Sequence, residues 1–249
     1  MFTVGRSIAG PLVRVLCELG RVARPEDLGR NGPLLASAGH DSLFHCLFGR
    51  DAIRMAMDLL DDFPEVARIT LLDLARLQGV MVRPRADEEP GRILHEYRAP
   101  DDPHAGRLGE AGWEFPYFGA VDPTPQWVNL LGAYCARYGL DLLEEPLTDR
   151  RWQAITVRDS LLAALAWIVG RIDDPIGGGY VWVCRADPTG IPTQVWEDSG
   201  DSHFHTDGTL FDFRRPFAHQ QPKRHRGRQS WDHWPRAVSR WRRFRRARG

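Results

Sequence analysis

Three carboxylic acids lie within five residues of one another, directly after an indole, in a polar stretch of the chain. The acids are Glu197, Asp198 and Asp201, and the indole belongs to Trp196. An indole face can pack on the apolar face of a pyranose, and a protonated carboxyl can donate its proton to a departing glycosidic oxygen. Asp, Ser and Gly also form turns and helix caps. Spacing alone therefore leaves both sugar chemistry and a structural loop open.

Other site chemistries have weaker support in the sequence. His203, His205 and Asp207 could present metal ligands on one face of a strand, but no fourth ligand of matching spacing accompanies them. Residues 177–179 are three glycines without the Gly-Lys-Ser/Thr ending of a phosphate-binding loop, so they predict a turn. No Ser or Cys has the accompanying His and Asp pattern of a nucleophile. Because the pattern of His203, His205 and Asp207 lacks a fourth ligand, we do not expect a metal site.

The composition is that of a globular chain. Of 249 residues, 43% are hydrophobic and 27% are charged, which is enough apolar material for a substantial core. No apolar run reaches the about 18 residues of a membrane span, and the N-terminus lacks the order of a secretory signal. Cys17, Cys46, Cys135 and Cys184 are scattered among apolar neighbours and predict buried thiols in a reducing compartment. These features indicate a cytoplasmic protein without a membrane partner.

The formal net charge of zero hides an asymmetry along the chain. Residues 211–249 contain thirteen Lys or Arg and two Asp or Glu, so residues 1–210 carry a net charge of minus eleven. Clustered arginines with interleaved tryptophans suit phosphate contact and base stacking, which would make the tail a nucleic-acid-binding segment. The alternative, which we favour, is a disordered or non-native end.

Apolar residues at helical spacing dominate the rest of the chain. They predict helices over residues 51–60, 65–78, 124–139 and 157–172, with a further candidate over residues 8–19. Pro64 and Gly79 mark the ends of the second helix, and Thr124 is expected to cap the third, with Pro125 at its first position. The intervening segments are predicted as long loops over residues 82–113 and 175–207, with one short strand within residues 180–184.

The architecture that follows is all-α, with paired helices and a site built from loops at one end. An α-toroid and a plain helical bundle fit the periodicity equally well. Trp113, Trp127, Trp152 and Trp167 are expected in the core or in the wall of a pocket. Only Trp113 lies in a polar loop, where it could form a second stacking surface.

Four short motifs follow one another in a fixed order. They read Phe-Gly-Arg-Asp at residues 48–51, Glu-Pro-Gly-Arg-Ile-Leu-His-Glu at 89–96, Tyr-Phe-Gly-Ala-Val-Asp-Pro-Thr-Pro at 117–125 and Trp-Glu-Asp-Ser at 196–199. On these motifs the chain resembles, over roughly residues 44–210, the (α/α)6-barrel glycoside hydrolases of the amylo-α-1,6-glucosidase, or glycogen-debranching-like, type. Mannosylglycerate hydrolases and trehalases are more distant relatives of that group. The resemblance implies a partial (α/α)6 toroid with a sugar pocket at one mouth. It also implies inverting hydrolysis of α-glycosidic bonds in glucan-type oligosaccharides or polysaccharides, without a metal or organic cofactor.

The resemblance also implies roles for individual side chains. Asp198 is the expected general acid, Glu197 is its rival because related barrels place the acid directly after the tryptophan, and Asp201 is a third candidate. The side chains expected to bind the terminal sugar are Arg50, Asp51, Glu96, Asp122, Trp196 and, as a second platform, Trp113. Arginines and carboxylates suit this task because sugar hydroxyls accept and donate hydrogen bonds at once.

Most of these residues also have a structural interpretation. Arg50 and Asp51 could form a surface pair at a helix start, where the helix dipole favours Asp. His95 and Glu96 could likewise lie on a helix surface, and Asp122 could be a turn residue. An inverting mechanism also needs a second carboxylate about 6.5–9.5 Å from the acid, to activate water.

The chain departs from the family's pattern at both ends. The family has a β-rich N-terminal domain, and it continues for several helices beyond the Trp-Glu-Asp-Ser motif, where its catalytic base is expected. After Leu210 this chain runs into the arginine-rich tail, which suggests that the reading frame is lost near that residue. We therefore expect a partly helical lead-in over residues 1–43, a partial toroid over 44–210 and the tail over 211–249. A chain without the base would be a carbohydrate-binding remnant, and nucleic-acid binding through the tail is the remaining alternative.

Overall fold

The computed structural model describes residues 33–35, 43–175, 181–183, 185–196, 204 and 206–209, together with the backbone of 217–218. The helix predicted over residues 8–19 and most of the basic tail lie outside these residues. Within the described part, the protein is helix-rich with three small two-stranded sheets. No helix of this part combines the length and apolar character needed to cross a membrane.

Five α-helices and two 3-10 helices are the main elements of the described chain. The α-helices are α1 (Gly49–Asp58), α2 (Pro64–Arg76), α3 (Pro103–Glu110), α4 (Pro123–Tyr138) and α5 (Val157–Asp173), and the 3-10 helices are Pro84–Ala86 and Asp141–Glu144. The four helices predicted between residues 51 and 172 are confirmed as α1, α2, α4 and α5. Helix α5 begins with a capping box, in which Thr156 and Asp159 satisfy each other's backbone N–H groups.

Helix α3 lies inside a segment predicted as loop, so that prediction is wrong here. None of its residues is buried, and it therefore lacks the apolar face on which a helix prediction depends. Its start is nevertheless well specified. The Asp102 carboxylate accepts the backbone N–H of His104 at 2.7 Å, and Pro103 occupies the first helical position.

The strands are short and antiparallel. Strand β1 (Leu47–Phe48) pairs with β2 (Glu96–Tyr97), β3 (Pro146–Thr148) pairs with β4 (Ala154–Thr156), and β5 (Trp182–Val183) pairs with β6 (Phe217–Ala218). Strand β5 confirms the short strand predicted within residues 180–184. In the first pair Phe48 lies opposite Glu96, which places the start of α1 beside the second motif.

The main core lies between α1, α2, α4 and α5, which pack on one another as neighbours. Trp127 is fully buried there, and its indole N–H donates to the Leu71 carbonyl oxygen at 3.1 Å. Trp167 is buried in a second cluster with Val121 and Val195. The prediction of buried tryptophans is wrong for Trp152, whose residue is 88% exposed because it lies in the tight turn between β3 and β4.

The thiol predictions are confirmed in part. Cys46 is buried, and burial beside the Glu96 carboxylate raises the pKa of its thiol to about 12. Cys135 is only half-buried on α4, so the expectation of a buried thiol is wrong for that residue. Cys17 and Cys184 lie outside the described residues.

Helix α4 begins earlier than the sequence suggests. Asp122, not Thr124, occupies the N-cap position, and Pro123 is the first helical residue. Thr124 is fully buried inside the first turn, and its hydroxyl oxygen accepts the backbone N–H of Ile93 at 2.9 Å. The predicted cap is therefore wrong, because this side chain joins α4 to the second motif instead of closing its own helix.

The start of α1 packs against the second motif at a position where only glycine fits. A Cβ atom on Gly49 would lie 2.2 Å from the Leu94 carbonyl oxygen, and the Gly49 N–H donates to the His95 carbonyl oxygen at 2.9 Å. We expect Gly49→Ala to lower the free energy of unfolding by about 2–3 kcal/mol, because backbone must move to admit the methyl group. Urea unfolding measures the change.

Gly132→Ala is the matched control for this substitution. Gly132 lies exposed in α4, with no atom within 4 Å of the added Cβ, so alanine should raise stability by about 0.5–1 kcal/mol through helix propensity. Equal stabilities for Gly49→Ala and the wild type would contradict the close approach of α1 to the second motif.

Candidate functional site

Three of the four sequence motifs meet at one place. Strand β1 and the start of α1 belong to the first motif, and β2 belongs to the second. Tyr117, from the third motif, donates its backbone N–H to the Glu96 carbonyl oxygen at 2.8 Å and accepts the His95 N–H at 2.8 Å. The start of α1 and Tyr117 therefore lie on either side of β2.

The approach to the fourth motif joins this assembly through the backbone. The Val121 N–H donates to the Gln194 carbonyl oxygen at 3.0 Å, and Val195 is buried against Val121. Trp196 follows directly and is 59% exposed. Trp196, the expected stacking residue, therefore lies two residues after Gln194, which contacts the segment that carries Asp122.

Arg50 and Asp122 form the ionic pair at the centre of this assembly. Arg50 Nε donates to Asp122 Oδ2 at 2.6 Å, and Nη2 donates to Oδ1 at 3.1 Å, so the contact is bidentate. Gln126 Nε2 adds a hydrogen bond to Oδ2 at 3.1 Å. Both charged side chains keep partial exposure, 17% for Arg50 and 20% for Asp122. The pair is thus rigidly oriented and still reaches the surface.

The other two predicted sugar-binding acids lie in different environments. Asp51 is exposed in the first turn of α1. Glu96 is buried, and its Oε1 accepts Arg98 Nε at 2.5 Å and the Cys46 thiol at 3.7 Å. Burial raises the pKa of the Glu96 carboxyl, while the charge of Arg98 opposes the rise. This carboxylate holds β1, β2 and the following chain together, and it lies in a strand, not on the helix surface considered above.

A network of buried polar side chains links the segments that form the site. Arg92 is almost fully buried and donates to the Asp87 carbonyl oxygen at 2.8 Å and to Gln194 Oε1 at 3.1 Å. The Asp87 carboxylate accepts Gln194 Nε2 and the Tyr117 hydroxyl, each at 2.8 Å. Sequence reasoning did not single out Asp87, Arg92 or Gln194. Their positions in or beside the motifs could have drawn attention to them, but the sequence does not show that these side chains are buried.

A row of aromatic rings extends from the same ladder. Trp113 is half-buried, and its ring centroid lies 4.7 Å from that of Tyr117. The His95 ring meets Tyr117 edge-on at 6.1 Å and Phe48 at 5.5 Å. Trp113 is therefore attached to the ladder through Tyr117, as a wall residue with part of its surface uncovered.

His95 has the most unusual electrostatic environment of the described residues around this ladder. Its residue is 6% exposed, and Nδ1 is buried with no hydrogen-bond partner within the described chain. Burial lowers the pKa of the imidazole to about 3, and the charges of Arg50 and Arg92 act in the same direction. The ring is therefore neutral at physiological pH.

Several predicted residues cannot be placed. Glu197, Asp198 and Asp201, the three candidates for the general acid, lie outside the described residues, as do His203 and His205 of the weak metal pattern. Among the residues that are described, no group of three or more His, Cys, Asp or Glu side chains is arranged to hold a metal ion. Within the described residues, the site therefore consists of Arg50, Asp122 and the aromatic and polar side chains around them.

Comparison with known proteins does not extend this picture. No protein-family model matches the chain, and no curated protein matches it. The fold and the site define a helix-rich protein with a partly exposed arginine–carboxylate pair at the N-termini of two neighbouring helices. What the site does must be argued from its chemistry.

Proposed function

We propose that this chain is part of a glycoside hydrolase of the amylo-α-1,6-glucosidase type, which binds an α-glucan at the Arg50–Asp122 pair. The observation that carries the proposal is that three motifs meet at one backbone ladder, the first and third of them supply that pair, and Trp196 of the fourth motif is exposed next to a segment tied to the third. Ligand sites are typically built from a few polar groups that converge from segments far apart in sequence, as Arg50 and Asp122 do here.

The chemistry of the pair suits a neutral glycan. A sugar hydroxyl both donates and accepts, and the pair offers guanidinium donors beside carboxylate acceptors. Because Asp122 fixes the guanidinium through two hydrogen bonds, little side-chain freedom is lost when a ligand binds. Asp122 also occupies the N-cap position of α4, where the positive end of the helix dipole favours a negative charge.

The catalytic part of the proposal rests on the fourth motif. We assign the general acid to Asp198, with Glu197 and Asp201 as the alternatives, and we assign sugar stacking to Trp196. The indole is 59% exposed, which leaves a face for a pyranose. Hydrolysis would be inverting, with water activated by a second carboxylate about 6.5–9.5 Å from the acid.

The proposed architecture is a toroid of paired helices. Helices α1 and α2 pack together, α4 packs on both, and α5 packs on α4. This order of packing is compatible with a ring of helices and with a bundle. The position of the motif loops at the N-termini of α1 and α4 favours the ring. The mouth of the ring would then hold the sugar.

Arg50→Gln tests the proposed binding site. Glutamine keeps a polar side chain but removes the charge and the two-point contact, so the affinity for maltotetraose should fall about 10- to 100-fold. Titration calorimetry measures the affinity. Arg68→Gln is the control, because Arg68 also makes two hydrogen bonds to one carboxylate, that of Glu145, at 2.5 and 2.6 Å, and its side chain is likewise partly exposed, at 34%.

The control should bind maltotetraose as the wild type does. Equal affinity for Arg50→Gln and the wild type would contradict the proposed site. Release of reducing sugar from the same samples separates the two forms of the proposal, since binding with turnover indicates a hydrolase and binding without turnover indicates a carbohydrate-binding remnant.

A further inference from the structure

The loop that leads to Trp196 has no secondary structure of its own to hold it. Its described residues, 185–196, form no helix or strand, and Trp196 is 59% exposed. An exposed indole contributes most to binding when its backbone is already held, because ordering a free loop costs binding free energy. The contacts that fix this loop therefore decide what Trp196 can do.

One buried carboxylate, that of Asp87, holds the loop near its start and near its end. Oδ1 accepts the backbone N–H of Ala186 at 2.6 Å, and Oδ2 accepts Gln194 Nε2 at 2.8 Å. Asp87 is 2% exposed, so these hydrogen bonds are shielded from competing water. A single side chain outside the loop thus joins its two ends.

Tyr117 extends the same attachment to the middle of the loop. Its hydroxyl donates to Asp87 Oδ2 at 2.8 Å and accepts the backbone N–H of Ile191 at 2.8 Å. The loop approaches so closely that a Cβ atom on Gly190 would lie 2.8 Å from both Asp87 Oδ2 and the Tyr117 hydroxyl oxygen. The loop is therefore bound to Asp87 directly and through Tyr117.

Gln194 is the residue through which this attachment reaches the third motif. Its side-chain oxygen accepts Arg92 Nη2 at 3.1 Å, while its amide nitrogen donates to Asp87. Its backbone carbonyl oxygen accepts the N–H of Val121, which belongs to the third motif, at 3.0 Å. The position of Trp196 relative to that motif therefore depends on how Gln194 is held.

The backbone of Asp87 indicates that its carboxylate determines which residue stands at this position. Its φ is 50°, in the left-handed region that glycine adopts freely and other residues adopt at a cost. Glycine would suit this backbone better but would leave the Ala186 N–H and the Gln194 amide without their acceptor. Buried hydrogen bonds of this kind are typical of the side chains that support a binding site.

We propose that Asp87 is a positioning residue for glycan binding, whose carboxylate holds the loop over residues 185–196 and thereby fixes Trp196 where its indole can stack on the sugar. This inference rests on the proposed function and deepens it, because it names the group that keeps the stacking platform in place. Asp87 is given no contact with the ligand. Its effect on affinity must therefore pass through Trp196.

Asp87→Asn tests the inference, because it keeps the shape of the side chain but turns one acceptor oxygen into a donor NH2 group. That group must face either the Ala186 N–H or the Gln194 amide nitrogen. In the wild type, Trp196→Ala should lower the affinity for maltotetraose about 10-fold. In Asp87→Asn, the same truncation should lower it less than about 2-fold, because the indole is no longer held. Titration calorimetry measures both costs at a temperature where circular dichroism shows every variant folded.

Glu88→Gln is the matched control. Glu88 is also a buried carboxylate, but its hydrogen bonds to Arg83, Arg150 and the backbone N–H of Val80 do not involve the loop. Trp196→Ala should therefore still cost about 10-fold in this background. A general loss of stability would affect both backgrounds, so only a role in holding the loop predicts different costs.

Two variants at Gln194 probe the same hydrogen bond from the side of the loop. Gln194→Met removes the amide without placing two donors together, and Trp196→Ala should again cost less than about 2-fold. Asp87→Asn combined with Gln194→Glu exchanges donor and acceptor across the bond and preserves the net charge. The new carboxylate can also accept Arg92. In this rescue variant the cost of about 10-fold should return.

The outcomes separate this inference from the proposed function. An equal cost of Trp196→Ala in the wild type and in either Asp87→Asn or Gln194→Met would overturn the inference. A cost that the rescue variant does not restore would also overturn it. Neither result changes the loss of affinity expected for Arg50→Gln, which tests the proposed function by itself. A wild-type chain that does not bind maltotetraose would overturn both proposals.

Discussion

In a full-length, restored version of the protein that also carries the catalytic base, replacing Asp198 with asparagine is expected to lower turnover of maltooligosaccharides by about 10²–10⁴-fold, the usual contribution of a general acid. Asparagine has almost the same shape as aspartic acid but no proton to give to the departing glycosidic oxygen. Affinity should stay within a few-fold of the wild type, because the amide can still hydrogen-bond the sugar. Reducing-sugar release measures turnover, and titration calorimetry measures affinity.

Glu197→Gln and Asp201→Asn are the matched controls, since each removes one neighbouring acid in the same way. Both should retain turnover close to that of the wild type. A collapse of turnover in one of them, with Asp198→Asn unaffected, would move the general acid to that residue. Turnover unaffected in all three variants would contradict an acid in the fourth motif.

The second large effect is a loss of stability in acid that depends on His95. The pKa of His95 is about 3 in the folded protein, and 6.5 is its ordinary value in an unfolded chain. Between these values the unfolded chain binds one more proton, so the free energy of unfolding falls by about 1.4 kcal/mol for each unit of decreasing pH. Above about pH 6.5 the imidazole is neutral in both states and adds no pH dependence.

His95→Gln removes the titrating group and should remove this component of the acid loss. Urea unfolding at several pH values between about 4 and 7.5 gives the difference between the variant and the wild type, in which the contributions of Glu88, Glu96 and other carboxylates cancel. Parallel pH profiles for His95→Gln and the wild type would show that His95 is not held neutral by the fold.

The sequence predicts those elements whose apolar faces enter the core. Helices α1, α2, α4 and α5 each bury such a face, and their predicted ends lie within two residues of the observed ones. Helix α3 buries no residue, so its capping by Asp102 and Pro103 was a weaker signal than its polar composition. Trp152 shows the opposite error, because the sequence marks an indole as apolar but does not show that a tight turn exposes it.

For the site, the prediction of Arg50 and Asp122 depended on the resemblance of their motifs to those of the glycoside hydrolase family. Arg50 and Asp122 each stand at the N-terminus of a helix, and the structure joins them directly. The sequence did not show which polar residues of the motifs face inward. Arg92 binds backbone carbonyls, and Glu96 pairs with Arg98, which stands outside every motif. The Arg92 contacts reach residues outside its own motif, such as Asp87 and Gln194, which no spacing within one motif encodes.

The most direct test of the central claim is a crystal structure of this chain with maltotetraose. We expect one glucose unit with hydroxyl oxygens within hydrogen-bond distance of the Arg50 guanidinium and the Asp122 carboxylate, and with a ring face against Trp196. A glucan bound elsewhere on the protein, with the Arg50–Asp122 pair free of sugar, would contradict the claim.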